Sequence, residues 1–293
     1  MATTQPSLFL GIDGGGTHCR ARLTDPVGTV LGSGLSGSAN VYSDPQGTLV
    51  SVLEATERAL LQAGLDHQAM ARIHAGIGLA GGTIPSAIDF LQRWQHPFAT
   101  ARFASDSHIA CLGAHQGNDG SILIIGTGIS GWSITANQTR SWSGWGFPLT
   151  DTGSGAWLGL RVYQQTINAM DGIIPYSSML EAMAAEYQFR PETMVHAFQQ
   201  AAPAQLAALA KLVIDYAEQQ DHYALAIVTE QQQIIRTLLT SMHGFNQQPI
   251  ALLGGLAEFV SRHLTEQFRQ YLTAARGDAL SGALLLAAQG VSQ

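Results

Sequence analysis

Lysine is all but missing from this chain: among 293 residues, Lys211 stands alone. Any chemistry on phosphate must then rest on backbone N–H groups, hydroxyls, arginine and a metal ion, because no glycine-rich loop has a lysine beside it. A Walker A loop and the protein-kinase lysine are excluded, and so is a pyridoxal Schiff base unless Lys211 itself serves. Charge is scarce altogether, with 12% of residues charged, 14 Lys and Arg against 21 Asp and Glu, and a net charge of −7. Such a chain can hardly assemble the basic face that nucleic acid requires. Its two cysteines, Cys19 and Cys111, are too few for a disulfide framework or a cysteine-rich zinc site, which fits a reduced, cytoplasmic protein. No apolar run approaches the roughly 18 residues of a membrane span, and the first residues show no basic region followed by an apolar run with a cleavage site, so neither export nor a membrane is expected. What is present is a hydrophobic share of 46%, enough for one large domain or two smaller ones, together with glycines that follow short apolar runs.

The first of those runs is Leu8 to Asp13, broken by Gly14, Gly15 and Gly16; Thr17 to Thr24 then reads as a returning strand, giving a hairpin with a glycine turn. Helical spacing follows from Gly47 to Ala63, and Gly64 stops it. A strand from Arg72 to Leu79, a helix from Ser86 to Trp94, a strand from Ala101 to Ala104 and a helix from Ser107 to His115 complete an α/β order. At Ser121 the pattern restarts: an apolar strand to Ile125, the turn Gly126-Thr127-Gly128, and a second strand near Gly131 to Thr135. Helices are expected at Gly155 to Met170, Ser178 to Tyr187, Pro191 to Phe198, Ala204 to Gln219 and Asp221 to Met242. A strand from Ile250 to Leu253 meets Gly254-Gly255, and a last helix covers Asp278 to Gln289. The repeated hairpin implies two related lobes divided near residues 117–120.

Three glycine turns thus follow strands. Only glycine lets backbone approach a phosphate closely and present successive N–H groups to it, so three such turns would grip a nucleotide; singly, each also suits an ordinary tight turn. Asp13, just before the first turn, could hold the magnesium that accompanies ATP, directly or through water, with an Asx-type turn residue as the lesser alternative. Thr17 offers a hydroxyl to phosphate or a strand side chain. Asp106 stands where a strand becomes a helix, which suits both an N-cap and a general base. Asp151, in the run Trp145 to Gly155, is likewise cap or ligand. His108, Cys111 and His115 share one helical face, as metal ligands or as packing. Trp132, Trp142, Trp145 and Trp157 provide aromatic surface for sugar stacking or for a core.

Read together and in order, Asp13 to Thr17 with Arg20, Gly34 to Asn40, Ala80-Gly81-Gly82, Ser105-Asp106, Gly126 to Gly128, Trp145-Gly146 with Asp151 to Gly155, Gly254 to Ala257, and Asp278 to Ala283 carry a resemblance. They resemble the N-acetylglucosamine kinase and BadF/BadG/BcrA/BcrD ATPase family of the actin-like, sugar-kinase and Hsp70 superfamily, from residue 8 to about residue 288. The resemblance implies an α/β fold of two actin-like, ribonuclease H-like lobes, each on a βββαβα core, with the active site in an interlobe cleft. The lobes would be residues 1–117 and 118–277, and the terminal helix 278–290 would pack back on the first. It implies ATP and Mg2+ as cofactors and phosphorylation of an amino sugar, N-acetylglucosamine or glucosamine, at its 6-hydroxyl. By matched position, Gly14, Gly15, Gly16 and Thr17 form the first phosphate loop, Gly126, Thr127 and Gly128 the second, and Gly254, Gly255 and Ala257 the adenosine loop. Asp13 would hold the metal; Asn40, Gly81, Asp106 and Asp151 would contact sugar, with Asp106 as catalytic base. One departure is that Ile129, not serine, follows Gly-Thr-Gly, with Ser130 one place later.

The expected partner is therefore a small amino sugar, with no nucleic acid or membrane; a homodimer, common among relatives, is left open. The same family holds ATPases that activate 2-hydroxyacyl-CoA dehydratases or benzoyl-CoA reductases through an iron-sulfur cluster shared between subunits. That alternative needs cluster cysteines, and neither Cys19, beside the phosphate loop, nor Cys111, within a helix, suits it. A sugar-responsive repressor is the third class, and the first strand begins too early for a helix-turn-helix before it.

Overall fold

A computed structural model of the chain describes residues 6–136 and 138–289. In chain order, β1 (Leu8–Gly14), β2 (Cys19–Thr24), β3 (Val30–Ser36), α1 (Pro45–Gln62), β4 (Ile73–Leu79), α2 (Pro85–Gln92), β5 (Thr100–Ser105) and α3 (Asp106–Ala114) come first. Then follow β6 (Gly120–Ile125), β7 (Ile129–Thr135), β8 (Gln138–Ser143), α4 (Gly155–Met170), α5 (Ser178–Glu186), α6 (Pro191–Gln200), α7 (Pro203–Ala208), α8 (Ala210–Glu218) and α9 (His222–Asn246). The chain closes with β9 (Ile250–Leu253), α10 (Ala257–His263), α11 (Glu266–Arg269), β10 (Leu272–Thr273) and α12 (Ala279–Ala288). The strands form two five-stranded sheets, ordered β3-β2-β1-β4-β5 and β8-β7-β6-β9-β10. The second order repeats the first strand for strand, so the hairpin repeat in the sequence is a repeat of whole sheets. In the first sheet β1 runs antiparallel to β2 and parallel to β4, the arrangement of a ribonuclease H-like fold.

Two compact units result: one of residues up to Ile122 with Trp132–Thr139 and the segment from Ala274 on, the other of Leu123–Gly131 and Arg140–Thr273. Each has its own core. In the first, Leu10, Ile12, Leu23, Val52, Ile73 and Ile77 are buried where α1 lies on the sheet. Glycine sets that distance, since a Cβ on Gly34 would come within 1.8 Å of the Ala55 carbonyl of α1. The other face carries α12 and α3, where Ile109, Leu112, Ala283 and Leu286 pack together. The helix at the end of the sequence thus belongs to the first unit. In the second, Ile125, Ile129, Leu158, Val162, Val213, Ile235 and Leu239 are among the buried set.

Caps explain where most site-bearing helices begin, since a side-chain oxygen there satisfies an N–H that the helix leaves unpaired. Asp44 caps α1 at Gly47 N (2.9 Å), Asp221 caps α9 at Tyr223 and Ala224 N, and Asp278 caps α12 at Ser281 N (2.8 Å). The structure moves several expected boundaries. The returning strand starts at Cys19, not Thr17; the helix expected from Ala204 to Gln219 is two helices, α7 and α8, meeting at Leu209; and Asp221 and Asp278 are caps, not helical residues.

Candidate active site

At the end of β1, Asp13 lies opposite Arg20 in the β1–β2 ladder, and the guanidinium pairs with a single carboxylate oxygen, Oδ2, through Nε (3.1 Å) and Nη2. The other oxygen has no partner among the described residues. The turn beyond has two kinds of glycine. Gly14 is a packing position: a Cβ there would come within 2.6 Å of Leu79 and 2.8 Å of Ala39, and its carbonyl accepts from Ala80 N. Gly15 closes the turn by donating to the His18 carbonyl (2.9 Å), whereas Gly16 has open space where a Cβ would stand and, like Thr17, is exposed. The backbone N–H groups of Gly16 and Thr17 have no partner among the described residues.

Two loops of the first unit meet beside this turn. Asn40 bridges Ala80, and its Oδ1 accepts from Tyr42 N (3.1 Å) and Ser43 N (3.2 Å), leaving the amide nitrogen free for a ligand. Gly81, at φ +76°, leaves room for that side chain, because a Cβ would come within 2.9 Å of Asn40 Oδ1. Asp106 follows the end of β5. The cap of α3 is Ser105, whose hydroxyl accepts from His108 N (3.1 Å), so the capping role considered for Asp106 is already filled. Its carboxylate instead accepts from Ser107 N (2.7 Å). Burial first, and then the nearby negative charge of Asp13, push its carboxyl pKa up.

In the second unit, Gly126 N donates to Gly128 O (2.9 Å), and the first N–H groups of α4 close back on this turn: Gly155 N on Gly126 O (2.8 Å) and Ala156 N on Thr127 O (3.1 Å). Gly126 has open space at its Cβ position, and Thr127 is exposed. Asp151 is buried against the same turn, since a Cβ on Gly128 would come within 2.5 Å of its Oδ2. It takes φ +63° and does not cap α4; Ser154 does, accepting from Trp157 N (3.2 Å). The structure therefore brings Asp151 together with Gly126, Thr127 and Gly128. Ile129 packs into the core, and Ser130 stands beside Gly144. After β9, Gly254 at φ +92° presses on the Ile125 carbonyl, Gly255 is open, and Ala257 begins α10.

The face of α3 is not a metal site. His115 Nε2 lies 2.8 Å from the Ser121 carbonyl, Cys111 Sγ donates to Gly120 O (3.4 Å), and the His108 ring meets the edge of Trp132. Burial pushes both thiols, Cys19 and Cys111, up to about 12, which makes them poor cluster ligands. Among the described residues no three His, Cys, Asp or Glu side chains converge on a metal position. One carboxylate with one free oxygen, that of Asp13, suits a magnesium ion held chiefly by phosphate oxygens and water. Of the tryptophans, Trp142 and Trp157 are core, while Trp145 is 73% exposed in the loop before Asp151.

Two ribonuclease H-like sheets, with glycine turns at the ends of β1, β6 and β9, define the actin-like class to which sugar kinases and ATPases belong. Within it, the chain belongs to the BadF/BadG/BcrA/BcrD ATPase family, whose model matches residues 10–287. It is 33% identical over 279 residues to the glucosamine kinase GspK of Vibrio cholerae serotype O1, covering 95% of each chain. A solved candidate N-acetylglucosamine kinase from Chromobacterium violaceum is 34% identical, with a TM-score of 0.85 over 96% of this chain and 99% of that one. A glucokinase of the ROK family from Streptomyces griseus, solved with glucose and AMPPNP, shares the fold at 16% identity and a TM-score of 0.54, over 96% of this chain and 98% of that one.

Proposed function

We propose that this protein transfers the γ-phosphoryl group of ATP to the 6-hydroxyl of an amino sugar, glucosamine or N-acetylglucosamine. Phosphoryl transfer asks little covalent chemistry of the protein and much positioning. Gly16 and Thr17 in the first unit, and Gly126 and Thr127 in the second, offer backbone donors and hydroxyls to the phosphates; Gly254, Gly255 and Ala257 take the adenosine. Asp13 holds Mg2+, which when bound neutralises charge on the transferring phosphate. The Asn40 amide and Asp151 orient the sugar, and Gly81 keeps the Asn40 side chain in place. Asp106 accepts the proton of the 6-hydroxyl as the oxygen attacks phosphorus and the bond to the β-phosphate oxygen breaks.

The observation that carries this reading is Asp106, a half-buried carboxyl group with raised proton affinity whose neighbour Ser105 already caps the helix. Asp106→Asn keeps size and hydrogen bonding but cannot accept the proton, so turnover is expected to fall about 100- to 10,000-fold with sugar binding little changed. Near-normal turnover in a folded variant would end the assignment. The activator ATPase reading is disfavoured by the two buried thiols.

A further inference from the structure

Gln231 is a fully buried glutamine in the middle of α9, far in sequence from every candidate site residue named above. Its Nε2 donates to the Gly153 carbonyl at 2.7 Å, and its own carbonyl oxygen has no partner among the described residues. Leaving a buried oxygen unpaired costs stability, so the structure tolerates half an unmet amide here while using the donating half. The acceptor is well placed to matter. Gly153 stands at φ +91° between Asp151 and the cap Ser154, packs on Ile234 and Ile235 of α9, and shares its turn with the Ser154 N to Asp151 O bond (3.1 Å). Upstream, the Thr150 hydroxyl accepts from Trp145 N (3.0 Å) and donates to Asp151 Oδ1 (3.2 Å), so the loop from Trp145 to Ser154 is tied to itself. Gln231 is the side-chain hydrogen bond that ties this loop to the long helix behind it.

We propose that Gln231 is a positioning residue: through the Gly153 carbonyl it fixes the turn that holds the Asp151 carboxylate against Gly128, and so sets sugar binding without touching sugar. The inference rests on the assignment of Asp151 to the sugar, and the experiment separates the two. Gln231→Met removes the donor at similar length, and Gln231→Asn, which is too short to reach, serves if the first variant folds poorly. Hydrogen exchange on the purified chain is expected to show lost amide protection over residues 145–154 with α4 unchanged. Kinetically, the sugar KM should rise about ten-fold while the ATP KM holds, the scale of one lost hydrogen bond. In an Asp151→Asn background the same change should add less than about two-fold, since the two residues act as one unit. Unchanged exchange in a folded variant, a parallel rise in both KM values, or an undiminished effect in the Asp151→Asn background would overturn the proposal. Exchange lost as expected, with Asp151→Asn leaving the sugar KM untouched, would instead overturn the sugar role of Asp151 and with it the consequence claimed for Gln231.

Discussion

A carboxyl group that is partly desolvated and lies in the field of Asp13 holds its proton more tightly in the folded chain than in the unfolded one, and the sign of the linkage follows for Asp106. As pH rises from the ordinary carboxylate range, the unfolded chain releases this proton first, and the folded state loses stability until its own raised value is passed. Asp106→Asn should therefore be no less stable than wild type near neutral pH, with any gain vanishing at pH below the ordinary range, while turnover is lost. Thermal unfolding of both proteins across that range checks it; a variant much less stable than wild type at neutral pH would mean that the carboxylate is structural. Gly16 makes a second test. Open space at its Cβ position predicts that Gly16→Val folds normally yet weakens ATP binding, and equal nucleotide affinity by calorimetry would take this turn out of the site. At this scale, what the sequence marks is local. The glycine turns, Asp13, Asp106 and Asp151 are marked by neighbours within a few positions. Ser105 as the cap in place of Asp106, and Asp151 buried behind a cap at Ser154, depend on backbone angles that residue type leaves open. Gln231 carried no local signal, because its partner lies across the second unit.

Among the elements, those with strong periodicity were readable, as with α4, whose limits match the expectation, and β9. Two strands were not. β3 is rich in glycine and serine because α1 rests directly on its backbone, and β8, at a sheet edge, is polar on most of its length; both lack the β-branched pattern that marks a strand. The break at Leu209 between α7 and α8 likewise lies inside one continuous apolar pattern. α12 offers an element-scale prediction, because it crosses α3 at glycine on both sides: a Cβ on Gly282 would stand 1.8 Å from the Ile109 carbonyl, and one on Gly113 1.9 Å from that of Asp278. Gly282→Ala should cost about 1–3 kcal/mol, the usual range for overpacking, and would be read as a lowered Tm. An unchanged Tm would show that the crossing adjusts freely. The same helix is anchored by Asp278, which caps it and pairs with Arg22 (2.7 Å); these contacts hold its carboxyl well below the usual carboxylate range. That contribution is present above the ordinary range and is lost as pH falls, the opposite sign to Asp106.

For the whole molecule, two sheets share one strand order, and each has its own core and its own glycine turns, which the sequence carries as a repeated hairpin. The last helix belongs to the first unit, where α12 packs against α3 and β1. The choice of acceptor is the claim on which the account turns. Purified protein with ATP and Mg2+ should be offered glucosamine, N-acetylglucosamine, glucose and no sugar, with ADP release and sugar phosphate followed together and the phosphorylated position read by phosphorus NMR. With an amino sugar one 6-phosphate is expected per ADP, with little ADP release when sugar is absent and activity abolished by chelation of the divalent ion. ATP hydrolysis at the same rate whether or not sugar is present, with no sugar phosphate formed, would contradict it.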